Sequence, residues 1–293
     1  MSHISLLFLC LLQFSFYSIL LCDNYKNYSF PLRKISLNRE WLKNQYDNVH
    51  IKNEDIPIIT KELTQDLAAV KKLEIQSSNV TSIQEGSFYN LRLLKKLSLK
   101  DNFLHEIKNN IFSNLRIEEL DLSNNLISVI EAEAFDSMWN LKRINLRNNE
   151  INNYDNRWFV NVPFLSNINF ENNFITYLPR EILGRNKFYY IDFIMSYNRL
   201  EEIDEDAFYG IYRFSRLYLD HNGLSTISKE IFRYLSEIRD LRLDNNNIVC
   251  IAVDLKKVRY GNLDFNPWNE ECWRRLIQNM NSNELNITTT STI

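Results

Sequence analysis

The sequence predicts an α/β solenoid, a horseshoe of about eight regular 24-residue coils whose short strands stack into one parallel, concave sheet. One observation is an asparagine that recurs at intervals of 23, 24, 24, 25, 24 and 24 residues: Asn102, Asn125, Asn149, Asn173, Asn198, Asn222 and Asn246. Another is the pattern LxxLxLxxNxL around it, in units that begin at Val70, Leu94, Ile117, Leu141, Leu165, Tyr190, Phe214 and Ile238. We number these units coils one to eight. Their four apolar positions are filled 32 times out of 32, whereas chance at 45 % hydrophobic content would fill about 14.

The centre of each unit has the spacing of a strand followed by a turn. In IEELDLSNNLISVI (117–130), Leu120 and Leu122 point into the coil and the side chains beside them point outward. The chain then turns away from the sheet, which leaves backbone N–H and C=O groups inside the protein. An asparagine amide offers two donors and an acceptor on a short side chain. We therefore predict that Asn125 and its counterparts form a ladder that satisfies these groups, ending at Asn266, 20 residues after Asn246 in a shortened last coil.

A second column repeats eighteen residues after the start of each unit. Its members are Phe88, Phe112, Phe135, Phe159, Leu183, Phe208 and Phe232. A ligand-binding aromatic stripe is one interpretation. A column that repeats once per coil faces its own copies, however, so we predict an internal spine that fills the convex side.

Both ends depart from the repeat in ways that predict caps, because a terminal coil exposes an apolar face until something covers it. Residues 23–69 are predicted to form an N-terminal cap with one degenerate coil, in which Val49, Ile51, Ile56 and Ile59 keep the spacing. The regular solenoid covers 70–261. A C-terminal cap follows at 262–280, and a disordered polar tail at 281–293.

The first 22 residues predict a secretory signal peptide, because they contain the uncharged run ISLLFLCLLQFSFYSILL. An uncleaved signal anchor is the alternative. No second apolar stretch of spanning length occurs, so we expect a secreted, extracellular protein without a stable membrane span after cleavage. Glycosylation sequons at Asn27, Asn79 and Asn286 fit export.

The cysteines predict one internal disulfide. Cys250 and Cys272 are 22 residues apart, close to one coil, which can bring them within disulfide reach on adjacent layers. A zinc site is the alternative, but no histidine stands near either cysteine. Cys22 depends on the cleavage position. Cleavage before it would leave a thiol available to another chain, so the oligomeric state stays open.

The repeats at 70–261 resemble the typical extracellular leucine-rich-repeat class, and NPWNEEC resembles a reduced form of that class's C-terminal cap. NNNIVC followed by NPW and a single cysteine, with Asn-rich coils, is more similar to the leucine-rich-repeat immune proteins of insects, especially mosquitoes. Longer members of that family carry a coiled coil, which residues 276–293 lack, so the resemblance is to the short, coil-less type. It implies a protein-binding recognition or adaptor role, with a complement-like or other body-fluid protein as the candidate partner.

Composition and residue placement argue against other classes of function. The net charge of −3 gives no reason to expect a nucleic-acid partner. Outside the signal the histidines, His50, His105 and His221, fall on separate coils, and no Gly-rich phosphate loop occurs. We therefore predict a protein that is not an enzyme and holds no cofactor or metal.

The outward strand positions predict where a partner binds. The first two coils are basic (Lys71, Lys72, Lys95, Lys96 and Lys100), the third is acidic (Glu118, Glu119 and Asp121) and the fourth is basic again (Lys142, Arg143 and Arg147). Coils six and seven differ, and the predicted partner-binding residues are Ile191, Ile194, Tyr197, Arg216, Tyr218, His221 and Arg242. Three hypotheses follow: a recognition or adaptor factor of insect humoral immunity, an extracellular adhesion or developmental ligand-binding protein, and a signal-anchored surface protein.

Overall fold

The computed structural model describes residues 27–29, 47–113, 115–184, 187–251, 255–283 and 286–289, and it confirms the predicted parallel-sheet solenoid. The predicted signal peptide and Cys22 lie outside these residues. Within them the strands are β1 (Asn27–Ser29), β2 (Asn48–Lys52), β3 (Ile58–Ile59), β4 (Lys72–Gln76), β5 (Ser82–Ile83), β6 (Lys96–Ser98), β7 (Glu106–Ile107), β8 (Glu119–Asp121), β9 (Val129–Ile130), β10 (Arg143–Asn145), β11 (Asn167–Asn169), β12 (Tyr177–Leu178), β13 (Ile191–Ile194), β14 (Glu202–Ile203), β15 (Arg213–Tyr218), β16 (Thr226–Ile227), β17 (Glu237–Arg242), β18 (Cys250–Ile251), β19 (Val258–Asn262) and β20 (Asn286–Thr288). The helices are α1 (Lys61–Thr64) and α2 (Glu270–Asn283), and Leu255–Lys257 form a 3₁₀ turn.

One twelve-stranded parallel sheet forms the concave face, in the order β1-β2-β4-β6-β8-β10-β11-β13-β15-β17-β19-β20. Its register follows the repeat. The inward row runs through Leu73, Leu97, Leu120, Ile144, Ile168, Phe193, Leu217 and Leu241, each paired with the next. Because side chains alternate across a strand, the residues on either side of this row face the solvent on the concave side.

The interior is filled from the convex side by the phenylalanine column, and the predicted spine is confirmed. All seven members are buried. The Phe88 and Phe112 rings stack with centroids 6.1 Å apart, and the Phe135 and Phe159 rings with centroids 5.7 Å apart. Offset stacking of this kind adds to the free energy gained by burying each ring.

The asparagine of each coil bridges two coils through its amide. The Asn125 Nδ2 donates to the carbonyl of Leu99 in the previous coil and to that of Leu122 in its own, both at 3.0 Å. Its Oδ1 accepts from the Leu104 backbone N–H at 3.1 Å. The same three contacts recur from Asn102 to Asn266, so one side chain per coil satisfies the backbone groups that the turn leaves inside.

The residue before each ladder asparagine has a left-handed backbone, with φ between +53° and +59°. In coils three to five this residue is Asn124, Asn148 or Asn172, and each side-chain amide donates to the previous member of the column, at 2.6, 2.6 and 2.8 Å. Asparagine tolerates this conformation better than most residues. This outer column was not predicted. It explains why two asparagines occur consecutively in these coils.

Two predicted boundaries differ from the structure. The first inward position of coil six is filled by Ile191, which is 0 % exposed, and not by Tyr190, which is 45 % exposed. The register shifts there, with Ile191 opposite Phe214 but Asp192 opposite Arg216. The physical reason is that the Tyr190 hydroxyl bonds to Arg213 in solvent, while the wholly apolar isoleucine enters the core.

The C-terminal end also differs from the prediction. The polar tail at 281–293 was predicted to be disordered, but Asn286–Thr288 form β20 and pair with β19 at the edge of the sheet. Helix α2 precedes it, and buried Leu276 packs into the core. Cys250 of β18 and Cys272 of α2 form a disulfide with Cα atoms 5.3 Å apart, which ties the cap to the last coils. Among the described residues, no helix has both the length and the apolar character needed to span a membrane.

Candidate functional site

The concave face of coils two to four is a lattice of ion pairs. Lys95 and Lys142 contact Glu118 from either side, at 3.4 and 2.8 Å. In the next row Glu119 is contacted by Lys96 at 2.9 Å and by Arg143. The hydrogen bond from Lys142 is the main cause that lowers the pKa of Glu118 below its usual range. The predicted basic and acidic bands therefore neutralise one another here.

The outward residues of coils six to eight form two rows, which we call the central patch: Asp192, Arg216 and Asp240 in one, and Ile194, Tyr218 and Arg242 in the other. They lie on β13, β15 and β17, so the ladder beneath fixes their spacing. Compared with the ion-pair lattice, the central patch adds an aliphatic and an aromatic side chain to the charged groups.

The first row is held by Arg216. Its Nη2 donates to the Asp192 Oδ2 at 2.6 Å, and this hydrogen bond raises the pKa of Arg216. Asn167 donates to the same oxygen at 3.1 Å. The guanidinium is thus fixed in place and stays charged.

The second row is centred on Tyr218, whose hydroxyl donates to the Asp240 Oδ2 at 2.6 Å. Partial burial, with the carboxylate of Asp240, raises the pKa of Tyr218 to about 12. The Arg242 guanidinium lies over its ring, 4.2 Å from the centroid. Ile194, opposite Tyr218 in the register, is half-buried. The row therefore presents an oriented aromatic ring between an aliphatic and a cationic neighbour.

Beyond these rows, Ser196, Asp220 and Asp244 occupy the last outward position of their coils and are buried. The Ser196 hydroxyl donates to the Asp220 Oδ1 at 2.6 Å. Burial is the largest cause that raises the pKa of Asp244, and the negative charge of Asp220 adds to it. Beside them His221 contacts the Asp220 Oδ2 through Nδ1 at 3.1 Å.

Tyr197 and His221 stand where coils three to five carry the outer asparagines. Both keep the left-handed backbone, with φ of 57° and 53°, and their rings stack with centroids 4.0 Å apart. Tyr197 is 49 % exposed. A large side chain in this conformation is uncommon. At this edge of the sheet the pair presents aromatic rings where coils three to five present amides.

The predicted site residues fall into three groups. Ile194, Arg216, Tyr218 and Arg242 come together in the central patch. Tyr197 and His221 lie at its rim. Ile191 is excluded: the prediction that it points outward is wrong, because it fills the core position described above.

The three sequons occupy different places. Asn79 is exposed in the turn of coil one, and its Nδ2 contacts the Asp55 Oδ1 at 3.4 Å. Asn27 and Asn286 lie in β1 and β20, at the two edges of the concave sheet.

The acidic partners were missed by the sequence analysis. Asp192 and Asp240 fix the two predicted site residues Arg216 and Tyr218, and Asp220 and Asp244 form a separate pair. The sequence does indicate that these aspartates stack, because Asp220, Asp244 and Asp264 each precede a ladder asparagine by two residues.

The sequence matches two repeat families. The family described as BspA type leucine rich repeat region matches residues 58–182 in six copies, and the family described as leucine rich repeat matches residues 193–248. These segments coincide with the coils described above.

Among curated proteins, the chain is 29 % identical to keratocan of Danio rerio over 52 % of this chain and 43 % of that protein. It is 32 % identical to epiphycan of Mus musculus over 50 % of this chain and 47 % of that protein. The chain thus spans less than half the length of these relatives. Among solved structures, the mouse RP105/MD-1 complex superposes with a TM-score of 0.71 at 22 % identity, covering 84 % of this chain and 43 % of that one.

Proposed function

The chain is a leucine-rich-repeat protein, and from this premise we propose that its concave central patch binds another protein outside the cell. Such solenoids present an extended concave surface built on rigid strands. The observation that carries the proposal is the second row of the central patch, where half-buried Ile194 and Tyr218 lie side by side on neighbouring strands.

The chemistry of this row fits a protein epitope. Its aromatic ring is already oriented by the hydroxyl bond to Asp240 and the stacked Arg242, so binding costs little side-chain entropy. Aromatic and arginine side chains supply much of the energy in protein interfaces. Arg242 offers a charged contact to an acidic group of the partner.

The setting supports an extracellular role. The curated relatives are proteins of the extracellular matrix, and disulfides persist in oxidising compartments. The finer proposal is a recognition or adaptor factor of insect humoral immunity. It rests on the resemblance of the Asn-rich coils and the NPW cap, and its candidate partner is a complement-like or other body-fluid protein.

A second candidate is an extracellular adhesion or developmental ligand-binding protein, favoured by the similarity to keratocan and epiphycan. A signal-anchored surface receptor fragment is a variant of it. Abundance that rises in body fluid after infection favours the immune role, whereas recovery with a matrix fraction favours adhesion.

The test is a matched pair of charge insertions. Ile194→Asp places a carboxylate in the patch beside Tyr218. Asn169→Asp places the same charge at the paired position one coil away. Both side chains are half-buried on the concave face, so both variants are expected to fold and be secreted.

We expect Ile194→Asp to abolish capture of the main body-fluid partner, measured by quantitative pull-down and then by titration of the identified protein. Asn169→Asp should retain capture. Equal capture by both variants would move the binding site off the central patch and contradict the proposal.

A further inference from the structure

A column of aspartates runs along one edge of the concave sheet at the end of the solenoid. Asp220, Asp244 and Asp264 occupy the same position in three consecutive coils, two residues before a ladder asparagine. Asp220 and Asp244 are only 5 % and 8 % exposed. Neighbouring coils lie about 4.8 Å apart, so buried carboxylates stacked in this way repel one another unless positive charge is supplied.

The described residues supply little of that charge. The two arginines of the central patch are engaged elsewhere, Arg216 with Asp192 and Arg242 over the Tyr218 ring. The Asp244 Oδ2 accepts from the Asn245 amide at 2.9 Å, but its Oδ1 is buried without a hydrogen-bond partner among the described residues. The Asp264 Oδ1 is in the same situation one coil further on.

An imidazole completes the cluster. One carboxylate oxygen each from Asp220 and Asp244 and one ring nitrogen of His221 lie within 4.8 Å of one another. No other group of three metal-ligating side chains this close occurs in the described part of the chain. We propose that Asp220, Asp244 and His221 bind one Zn²⁺ ion at this edge of the sheet.

The donor set and its dimensions favour this ion. Two carboxylates and one imidazole suit a transition metal better than Ca²⁺ or Mg²⁺, which prefer oxygen ligands alone. Two ligands on tetrahedral zinc are separated by about 3.3 Å. The His221 Nδ1 and the Asp220 Oδ2 are already 3.1 Å apart, and an Asp244 carboxylate oxygen within 4.8 Å of the other two ligand atoms would supply the third contact on moving closer. The fourth position would be left to water or to a partner's group.

The surroundings hold the ligands in place. His221 is fixed by the stacked Tyr197 ring, and Asp220 by the hydroxyl of Ser196. Bonds of this second shell orient metal ligands. The site does not depend on the proposed protein-binding function, because the isolated chain contains all three ligands.

The experiment titrates metal-free secreted protein with ZnCl₂ by isothermal calorimetry, with CaCl₂ and MgCl₂ titrated separately. Every variant carries Cys22→Ser, which removes a thiol that could bind zinc itself. The test variants are Asp244→Asn, which keeps the shape of the side chain, and His221→Asn. The latter introduces the residue that coils three to five carry at this left-handed position, so folding is preserved. His50→Asn is the matched control, because among the described residues His50 forms an ion pair with a single carboxylate, that of Glu74.

We expect the parent protein and His50→Asn to bind one Zn²⁺ and to melt at a higher temperature in its presence. Both effects should be lost in His221→Asn and Asp244→Asn. Saturable zinc binding that survives both substitutions would overturn the proposal, as would a parent protein that binds no zinc. Binding of Ca²⁺ that is insensitive to His221→Asn would also overturn it, since the site would then use oxygen ligands only.

Discussion

Coils two to four and coils six to eight share one backbone but treat the charges on their concave faces differently. In the first region each glutamate lies between two cations of the neighbouring coils, as Glu118 does between Lys95 and Lys142. In the second region arginines are held by single aspartates or lie over a ring, and an aliphatic side chain stands among them. The side chains that maintain the fold therefore repeat from coil to coil, whereas the concave-face side chains proposed to bind a partner vary.

The largest loss of stability should come from changes to the asparagine ladder, which the two regions share. Asn149 and Asn222 make equivalent amide contacts beneath them, each donating to carbonyls of its own and the previous coil at 2.9–3.1 Å. Replacing either with leucine should cost about 1–3 kcal/mol, because buried backbone groups lose their partners. Urea unfolding measures this. Exposed Asn152→Leu should stay within about 0.5 kcal/mol. If a ladder variant had the same free energy of unfolding as Asn152→Leu, the asparagine ladder would not stabilise that region.

An intermediate effect should distinguish the outer column of the two regions. Asn148 donates to Asn124 and accepts from Asn172, whereas the Tyr197 side chain at the equivalent left-handed position stacks on His221 and shows no side-chain hydrogen bond among the described residues. Asn148→Gly should destabilise by about 1–2 kcal/mol through two lost hydrogen bonds. In Tyr197→Gly, relief of about 1 kcal/mol of backbone strain offsets the lost stacking. Thermal unfolding should therefore find Tyr197→Gly near the parent. An equal loss in both variants would make Tyr197 a structural residue.

The smallest effect should come from the ion-pair lattice. Lys96 lies 2.9 Å from Glu119, and its side chain is about half exposed. Lys96→Met should therefore cost only about 0.2–1 kcal/mol, and the difference should shrink in high salt. Lys52→Met, at an exposed position for which the described residues show no ion pair, is the control. A loss as large as that of the ladder variants would mean that the lattice is part of what stabilises the fold.

The period predicted most of the fold, because a side chain that recurs once per coil meets its own copies. The ladder asparagines and the phenylalanine column followed from that rule. The inward position of Ile191 did not follow from the period, because the adjacent Tyr190 also satisfies the apolar pattern. The wholly apolar isoleucine side chain occupies the core position because burying the tyrosine hydroxyl there would cost more free energy. The buried aspartates were not predicted for a related reason: spacing shows which residues stack, but not that one carboxylate oxygen of Asp244 is buried without a hydrogen-bond partner among the described residues.

The disulfide between Cys250 and Cys272 has a consequence for how the molecule comes apart. In the described sheet each strand pairs only with the strands of adjacent coils, so the stability of each coil depends on its immediate neighbours. A terminal coil has one neighbour instead of two, so loss of structure starts at an end. The disulfide links β18 to helix α2 and so opposes fraying at the C-terminal end. We therefore expect unfolding to start at the N-terminal end. Coils six to eight, closest to the link, are then among the last to be lost.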